Sequence, residues 1–328
     1  MGVPLRRAVT RIFRIARGLQ WLGNENRETK VRYIAWTAAA ATIALFAGSA
    51  DAAQQQDFSK VEVKTTDLGK NTYMLEGAGG NVTIAVGTNG VIMVDAQFAP
   101  MHDKLKAAIA QITKQPVAYL INTHSHGDHT GGNAAFAKEG AIIVAHRNVK
   151  ESLVNPPPGA NGQRPPAAPP EALPASVFSD RMTVAVAGPS AQVIHIPNAH
   201  TDGDSVVYFP DANVLAIGDQ GGPNRYPNIA AGGSIDGMIT GTETFLKLGN
   251  AQTKIVPGHG PLATKADFQA YHDVLVQIRD RVAKLKTAGM SENQAVAAKP
   301  LAPDIQAKQQ QDDAASERVV RAVYRTLK

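Results

Sequence analysis

Residues 124–129, which read His-Ser-His-Gly-Asp-His, constrain the fold of this chain more than any other stretch. They carry three imidazoles and one carboxylate, ligand types that suit zinc and also iron or manganese. Alternation at the end of a strand would place His124 and His126 on the same side. A turn at the glycine that follows would then bring Asp128 and His129 to a neighbouring point. The run therefore predicts two adjacent metal sites.

The segments around this run predict an α/β arrangement. Residues 101–113 carry apolar side chains at helical spacing, which predicts a helix that Pro116 ends. A continuous apolar run follows, Val117–Ile121, as expected of a strand buried on both faces. The histidines come directly after it, and open sheets bind ligands at such strand ends.

A long helix is predicted from Thr264, with Asp267 forming a capping box, to Gly289. Its apolar residues recur at intervals of three and four and are interpreted as core: Phe268, Tyr271, Leu275, Ile278, Val282 and Leu285. Ser291 and Gln294 are expected to cap a short further helix, and residues 314–327 to form a last one. We therefore expect a main domain over residues 53–290 and a C-terminal helical extension over residues 291–328.

The first 52 residues have the pattern of an export signal. A basic segment precedes an apolar run over residues 33–47, and Ala50-Asp51-Ala52 matches the A-x-A cleavage pattern. Cleavage after Ala52 would give a periplasmic or secreted bacterial protein with no stable membrane insertion. An uncleaved leader acting as a membrane anchor is the alternative.

The net charge of +5 belongs to this leader, because residues 53–328 hold 25 basic and 25 acidic residues. The main part of the chain therefore offers no electrostatic footprint for nucleic acid, and a small-molecule substrate is expected instead. Apolar residues make up 44% of the 328 and charged residues 19%, which is typical of a globular protein with a sizeable core. The sequence does not indicate an oligomeric state.

The chain has no cysteine. Disulfides therefore do not hold the fold together, and metal sites that need a thiolate are excluded. The chain also has no reactive cysteine and no Gly-x-Ser-x-Gly motif, so neither of these nucleophiles competes with metal-dependent chemistry.

A proline-rich insertion covers residues 155–174, which hold eight of the twenty prolines. Proline supplies no backbone donor for a sheet, so an extended loop is predicted. Two interpretations stay open: a surface linker, and a semi-rigid flap beside the metal site.

Three later segments each place a candidate ligand after an apolar run and beside glycine or proline. These ligands are His200, Asp219 and His259. Tight turns at the ends of strands would bring such residues together at one edge of a sheet. The remaining histidines are interpreted as structural residues: His102, His146, His195 and His272.

The order H-x-H-x-D-H, a lone histidine, Gly-Asp and Gly-His-Gly resembles the metallo-β-lactamase superfamily over about residues 60–285. The resemblance implies an αββα sandwich, with two mixed sheets flanked by helices, and a dinuclear metal site at one edge. The implied ligands of the first metal are His124, His126 and His200; those of the second are Asp128, His129 and His259. Asp219 would bridge the two metals.

The resemblance also implies supporting roles around the metals. Asp95, at the end of a predicted strand, resembles the family's acid that braces the metal loop, and Thr123 and Thr201 would brace it similarly. Two zinc ions would leave a position for a bridging water, whose pKa a metal can lower to about 7. Asp128 would orient the resulting hydroxide or relay a proton to the leaving group. Arg225 and Tyr226, in the loop after Asp219, could meet the substrate.

These features predict an exported dinuclear zinc hydrolase that acts on an ester, a lactone or an amide. A β-lactamase is one alternative, although the subclasses with a cysteine ligand are excluded and the cysteine-free subclass typically lacks the bridging aspartate. A thioester hydrolase of the glyoxalase II type, a metal-binding protein without turnover and a mononuclear iron dioxygenase are the others.

Overall fold

The computed structural model describes residues 57–159, 162–301 and 303–327. The predicted leader over residues 1–52 lies outside the described residues. Among the residues that are described, no helix is both long enough and apolar enough to cross a membrane.

The first of two mixed sheets in the described chain contains strands β1 to β7, which lie side by side in chain order. The strands are β1 (Lys64–Gly69), β2 (Thr72–Glu76), β3 (Val82–Val86), β4 (Val91–Val94), β5 (Val117–Ile121), β6 (Ile142–His146) and β7 (Ser176–Phe178). Neighbours from β1 to β4 pair antiparallel, and neighbours from β4 to β7 pair parallel. The run before the metal motif is thus a strand with a neighbour on each side, although only Leu120 and Ile121 of it are fully buried.

The second sheet has the order β13-β12-β11-β10-β9-β8. Its strands are β8 (Arg181–Ala185), β9 (Ser190–His195), β10 (Ser205–Phe209), β11 (Val214–Ala216), β12 (Lys254–Val256) and β13 (Ala263–Thr264). β11 and β12 pair parallel, so their carboxyl ends lie at the same edge. The loops after these two strands carry Asp219 and His259.

The helices of the described chain flank the two sheets. They are α1 (His102–Ile112), α2 (Gly127–Thr130), α3 (Asn133–Lys138), α4 (Arg147–Val154), α5 (Ile235–Leu246), α6 (Lys265–Thr287), α7 (Glu292–Ala297), α8 (Asp304–Lys308) and α9 (Asp313–Thr326). The capping box of Thr264 with Asp267 at the start of α6 forms as predicted, and so does that of Ser291 with Gln294 at α7.

Buried side chains form separate layers on the two faces of each sheet. On β4, Val91 and Met93 pack with buried residues of α1, whereas Ile92 and Val94 face the second sheet. This alternation is the two-residue period of a strand, and both faces are apolar because both are covered. Each such side chain contributes about 1.5–3 kcal/mol relative to exposure. Helix, sheet, sheet and helix are thus stacked, which confirms the predicted αββα sandwich.

The outer face of the second sheet is covered by α5, α6 and the helices that follow. Leu215 and Ile217 share one core with Phe245 of α5, Leu275 of α6 and Val323 of α9. The predicted apolar face of α6 is buried there. The helices of the predicted C-terminal extension therefore complete the core beneath the second sheet.

The proline-rich loop packs onto the side of the sandwich. Ala168 and Leu173 contact a small cluster that contains Val149 and Leu153 of α4, and Ala168 donates a backbone hydrogen bond to Leu153. Asn133 of α3 donates to the carbonyl of Ala172. None of the described residues of this loop lines the cavity over the metal motif. The structure thus favours the surface-loop interpretation over a flap beside the site.

Candidate metal centre

The seven predicted ligands meet at one edge of the sandwich. His124, His126, Asp128 and His129 follow β5, and the loops before β10 and after β11 and β12 bring the other three. The candidate ligand atoms form two groups, each within 4.8 Å: His124, His126, His200 and Asp219 in one, and Asp128, His129 and His259 in the other. The two groups contain the two predicted ligand sets, and Asp219, which was predicted to bridge the metals, falls in the first group.

In the first group, three imidazoles turn their ring nitrogens to one point. Nδ1 of His126 lies 3.2 Å from Nε2 of His124 and 3.0 Å from Nε2 of His200. Two nitrogens bound to one tetrahedral zinc would be separated by about 3.3 Å. The spacing of these atoms therefore fits a shared cation.

The second group has the same spacing with one carboxylate in place of an imidazole. Nε2 of His259 lies 3.4 Å from Nε2 of His129 and 3.1 Å from Oδ2 of Asp128. Asp128 also faces the cavity over the site, with its side chain 24% exposed. It is the carboxylate of this group that can reach a substrate.

Asp219 lies between the two groups. Its Oδ1 is 3.3 Å from Nε2 of His129 and 3.6 Å from Nε2 of His259, and its Oδ2 is 3.7 Å from Nε2 of His200. Oδ1 is buried and has no hydrogen-bond partner among the described residues. A buried carboxylate oxygen without a donor is costly, and a cation at this point would satisfy it. The residues present therefore fit a pair of metal ions.

Hydrogen bonds fix the tautomers of three of the imidazoles. Nδ1–H of His129 donates to Oδ2 of Asp95 at 2.8 Å, and Nδ1–H of His200 donates to the carbonyl of Asn228 at 2.6 Å. The hydroxyl of Thr123 donates to Asp95 and so accepts from Nδ1–H of His124. Each ring thus turns Nε2 to the centre, and the lone pair of that nitrogen is what a metal binds.

Asp95 is held in a strained conformation beneath the metal motif. Its φ is +62°, which a residue other than glycine seldom adopts. In return, one buried carboxylate accepts from the backbone and hydroxyl of Thr123 and from the ring of His129. Such strain persists where the surrounding structure requires it, and here it lets one side chain support two ligands.

A second buried carboxylate, Asp204, has a similar place that the sequence analysis did not assign. It accepts from the backbone of His200 at 2.6 Å, from the backbone and hydroxyl of Thr201 at 2.9 and 2.5 Å, and from Nε2 of Gln220 at 2.9 Å. The adjacent Ser205 donates its backbone N–H to the carbonyl of Thr123. Asp204 thus joins the His200 loop to the residue after Asp219.

Asn81 supports the last ligand across the two sheets, and this role was also missed. Its side-chain amide donates to the carbonyls of Pro257 and Gly260, which flank His259, and its backbone N–H donates to Gly258. Asn81 follows a glycine-rich turn before β3, and nothing in that local pattern indicates a partner so distant in the sequence.

The pKa values of three histidines of the centre are set by burial and by neighbouring charged groups. Burial lowers the pKa of His124 far below its usual value, and burial together with His200 lowers that of His126 to about 4. Burial also acts to lower the pKa of His129, but the charge of Asp95, the hydrogen bond to it and the nearby carboxylate of Asp219 outweigh it and raise this pKa well above the usual value.

The two acids of the centre are carboxylates at neutral pH. Burial alone would raise the pKa of each, but His259 and His129 hold that of Asp128 below its usual value, and His129, His124 and His200 hold that of Asp219 well below. The centre thus combines imidazoles with two negative oxygen ligands, which is the donor set that suits zinc.

A cavity of about 210 Å³ opens over the centre. Its walls are formed by His126, Asp128, Asp219, Gly221, Arg225, Tyr226, Asn228 and His259. Both predicted substrate contacts are therefore at the cavity. Tyr226 is nevertheless largely buried, and its hydroxyl shares a 2.9 Å hydrogen bond with the hydroxyl of Ser316 on α9.

The other histidines lie outside the two groups. His146 and His195 stack with ring centroids 3.6 Å apart and hydrogen-bond the carbonyls of Ser179 and Asp204 respectively. His102 and His272 interact with neighbouring acidic side chains. These contacts agree with the structural roles that the sequence predicts for them.

Comparison with known sequences identifies relatives that match part of the chain. It is 28% identical over 191 residues to the 2,4-dinitroanisole O-demethylase subunit alpha of Nocardioides sp. (strain JS1661), covering 57% of this chain and 55% of that protein. It is 33% identical over 100 residues to the alkyl/aryl-sulfatase BDS1 of Saccharomyces cerevisiae, covering 28% and 15%. It is 42% identical over 48 residues to a hydroxyacylglutathione hydrolase of Polaromonas sp., covering 14% and 18%. The match thus spans about half the length of the first relative and less than a fifth of the length of the other two.

Solved structures share the fold. The sec-alkylsulfatase Pisa1 from Pseudomonas sp. superposes with a TM-score of 0.60 at 16% identity, over 81% of this chain and 51% of that one. A metallo-beta-lactamase from Pontibacter korlensis superposes with a TM-score of 0.55 at 19% identity, over 66% and 99%. The sequence profile of the metallo-beta-lactamase superfamily matches residues 75–288. The chain therefore belongs to the metallo-beta-lactamase superfamily of metal-dependent hydrolases.

Proposed function

We propose that this protein is a dinuclear zinc hydrolase that cleaves an ester bond of a small molecule. One observation carries the proposal: Asp219 lies between two groups of three ligands, with one buried oxygen that has no donor among the described residues. A bridging carboxylate between two cations explains that arrangement. Lactones and amides are the wider class to which the same site chemistry extends.

The chain's own residues would divide the work as follows. A zinc pair at this site would supply a water of lowered pKa and stabilise the negative charge that develops on a carbonyl oxygen. His124, His126 and His200 would hold one ion, and Asp128, His129 and His259 the other. Asp128 would also receive a proton from the attacking water, because it is a carboxylate at neutral pH and faces the cavity.

The names of the relatives describe substrates other than a β-lactam, and none of them is a carboxylic ester. Their names describe removal of a methyl group from oxygen, cleavage of alkyl and aryl sulfates and hydrolysis of hydroxyacylglutathione. The likeness to a metallo-beta-lactamase structure is at 19% identity and supports the fold alone. The β-lactamase and thioesterase alternatives therefore become arms of the test.

Export is a separate part of the proposal. The basic segment, the apolar run over residues 33–47 and the Ala50-Asp51-Ala52 sequence support it. Expression of the full chain in a bacterium, fractionation and N-terminal sequencing would test it. A periplasmic product that begins near residue 53 is expected, and a full-length product retained in the cytoplasm would contradict it.

The activity is tested with purified, zinc-loaded protein on a panel of substrates. 4-Nitrophenyl acetate, a lactone, a thioester and nitrocefin cover the alternatives, and metal analysis accompanies each rate. We expect about two zinc ions per chain, ester hydrolysis that a chelator abolishes and zinc restores, and little hydrolysis of nitrocefin. One iron per chain with oxygen consumption would instead identify a dioxygenase, and metal binding without turnover would identify a binding protein.

A further inference from the structure

Gln97 is a fully buried residue in a backbone conformation that few glutamines adopt. Its φ is +53°, in the left-handed region, and none of its surface is exposed. It lies two residues after Asp95, which has the same left-handed conformation and contacts the ring of His129. Backbone strain of this kind persists where the surrounding structure requires it, so the position of the Gln97 side chain points to a function.

The amide of Gln97 contacts residues 77–80, which we call the glycine turn. Its Nε2 donates to the carbonyl of Gly80 at 2.9 Å, and its Oε1 has no donor among the described residues. A Cβ on Gly77 would lie 2.6 Å from that oxygen, and one on Gly79 would lie 3.2 Å from Cα of Gln97. Glycine at these positions therefore lets the turn close around the glutamine.

The other side of the glycine turn lies against the ligands of the second group. The backbone N–H of Gly80 donates to the carbonyl of Asp128 at 2.9 Å. A Cβ on Gly80 would overlap the ring of His129, so the bare backbone lies directly against that ligand. The next residue, Asn81, donates its backbone N–H to the residue before His259. Two successive residues thus contact all three ligands of this group or their loops.

The first group has different supports. Within the described ranges, no hydrogen bond joins Gln97 or the glycine turn to the three histidines of that group. Two of those histidines depend instead on hydrogen bonds with Thr123 and Asp204. A change at Gln97 should therefore affect the second metal before the first.

We infer that Gln97 is a positioning residue for the second metal: by fixing the glycine turn, it holds Asp128 and His129 in the geometry that zinc requires. The inference rests on the proposed two-metal hydrolase and makes its second ion depend on a residue that supplies no ligand. Zinc tolerates little change in the distances to its ligands, so a turn that moves away from His129 should release the ion.

Gln97→Leu tests the inference, because leucine keeps most of the side-chain volume but cannot donate to Gly80. Competition with a chromophoric chelator measures the two zinc affinities, and native mass spectrometry counts the ions bound. Wild type should bind two. In the variant the weaker affinity should fall by about ten- to a hundredfold, the usual effect of losing a residue that supports a ligand, while the tighter one changes little.

The chain offers a matched control for this substitution. Gln310 also has a left-handed backbone, with a φ of +51°, but it is exposed in the turn after α8. Gln310→Leu should leave both zinc affinities as they are in wild type. Anomalous diffraction from crystals of Gln97→Leu at limiting zinc then identifies the ion that remains, which should be the one at His124, His126 and His200.

Kinetics separate positioning from general damage. If the second ion is only held less tightly, excess zinc should restore kcat of Gln97→Leu to near the wild-type value, with KM unchanged. A kcat that stays low when native mass spectrometry shows both ions bound would overturn the positioning role.

Two further measurements do not depend on the leucine variant folding. In Gly80→Ala the new Cβ would displace the ring of His129, so the second zinc should be lost although Gln97 is intact. In wild type, hydrogen exchange should slow in residues 77–82 when the second zinc binds and not when the first does, because exchange reports local opening. Two tightly bound ions in both variants, or exchange that the second ion leaves unchanged, would overturn the inference.

The zinc measurements also separate this inference from the hydrolase proposal. If no ester is hydrolysed but Gln97→Leu loses one of two ions, the hydrolase proposal fails and the role of Gln97 stands. If esters are hydrolysed and Gln97→Leu holds both ions as wild type does, the role of Gln97 fails alone. A wild type that binds a single zinc would refute the two-metal centre and the inference together.

Discussion

Two buried carboxylates, Asp95 and Asp204, support the ligands of the candidate metal centre in different ways. Asp95 contacts the ring of His129 directly and reaches His124 through the hydroxyl of Thr123. Asp204 contacts no ligand ring; it accepts from the backbone of His200 and from the loop around it. The ring of His129 is therefore tuned by a charge beside it, whereas His200 is held by the shape of its loop.

This difference assigns different consequences to the two aspartates. A carboxylate on the far nitrogen of an imidazole raises the basicity of that ligand and fixes its tautomer, so its removal should weaken metal binding. A carboxylate that accepts four hydrogen bonds from a loop should matter first for folding, because its removal leaves several buried donors without partners.

The largest effect is expected where the two halves join. Asp219→Ala removes the carboxylate between the groups and should lower kcat/KM by about a hundredfold or more, with loss of zinc from the centre. Asp211→Ala, an exposed position between β10 and β11, is the control. Full activity with two zinc ions retained in the Asp219 variant would refute the bridging role.

Asp95→Asn should weaken zinc binding by about ten- to a hundredfold, because His129 loses the charge that supports it. The amide keeps the size of the side chain, so the melting temperature of the metal-free protein should change little, whereas the zinc affinity should fall clearly. Competition with a chromophoric chelator measures the affinity. An unchanged affinity would show that the charge of Asp95 does not tune the ligand.

Asp204→Asn should lower the stability of the metal-free protein more than it lowers the zinc affinity. Loss of charged acceptors for Thr201 and Gln220 should lower the free energy of unfolding by about 1–3 kcal/mol in the metal-free protein. Denaturant titration of the two asparagine variants side by side gives the comparison. If the Asp204 variant is as stable as wild type and only its zinc affinity falls, Asp204 supports metal binding as Asp95 does, and the proposed difference between the two carboxylates is wrong.

Zinc binding should release a proton, and Asp95 should control it. In the metal-free protein the pKa of His129 is raised well above 6.5, so this ring is protonated at pH 7. The protonated ring of His129 stabilises the folded protein; this contribution is fully present below about pH 6.5 and is lost as the pH rises through the raised pKa. Zinc must displace that proton, so affinity should rise with pH.

Calorimetric titration in two buffers of different ionisation enthalpy measures the protons released. We expect about one proton from His129 at pH 7 and fewer in Asp95→Asn. Equal release by both proteins would contradict the link between Asp95 and the ring.

The smallest effect concerns the wall of the cavity. Ser316→Ala removes the hydroxyl that pairs with Tyr226 and should cost about 0.5–1.5 kcal/mol of stability. If α9 positions this wall, KM should also rise slightly while zinc content stays the same. A change in zinc content would instead tie α9 to the metals.

The ligands were predictable because each followed a recognisable strand end, and the motif order identified the family. Asp95, at the end of a predicted strand, was predicted from its resemblance to the family's acid that braces the metal loop. Asp204 was not, although it lies five residues after Ala199 in the same segment as His200. The local sequence does not indicate which of Asp202 and Asp204 is buried, because the choice depends on a distant partner, Gln220, which donates to Asp204.

Helix α5 was missed for a related reason. Its sequence contains two glycines and three threonines, which have weak helix propensity. A Cβ on Gly237 would overlap the carbonyl of Asn198, so the glycine permits the helix to pack against the loop before His200. Tertiary packing decides the structure here, and local propensity cannot reveal it.

The arrangement of the whole centre is tested most directly by anomalous diffraction at the zinc edge from crystals of the zinc-loaded protein. Two peaks are predicted, one at the His124, His126 and His200 group and one at the Asp128, His129 and His259 group, about 3.5–4 Å apart. Asp219 should contact both. A single peak, or zinc bound elsewhere on the chain, would contradict a two-metal centre.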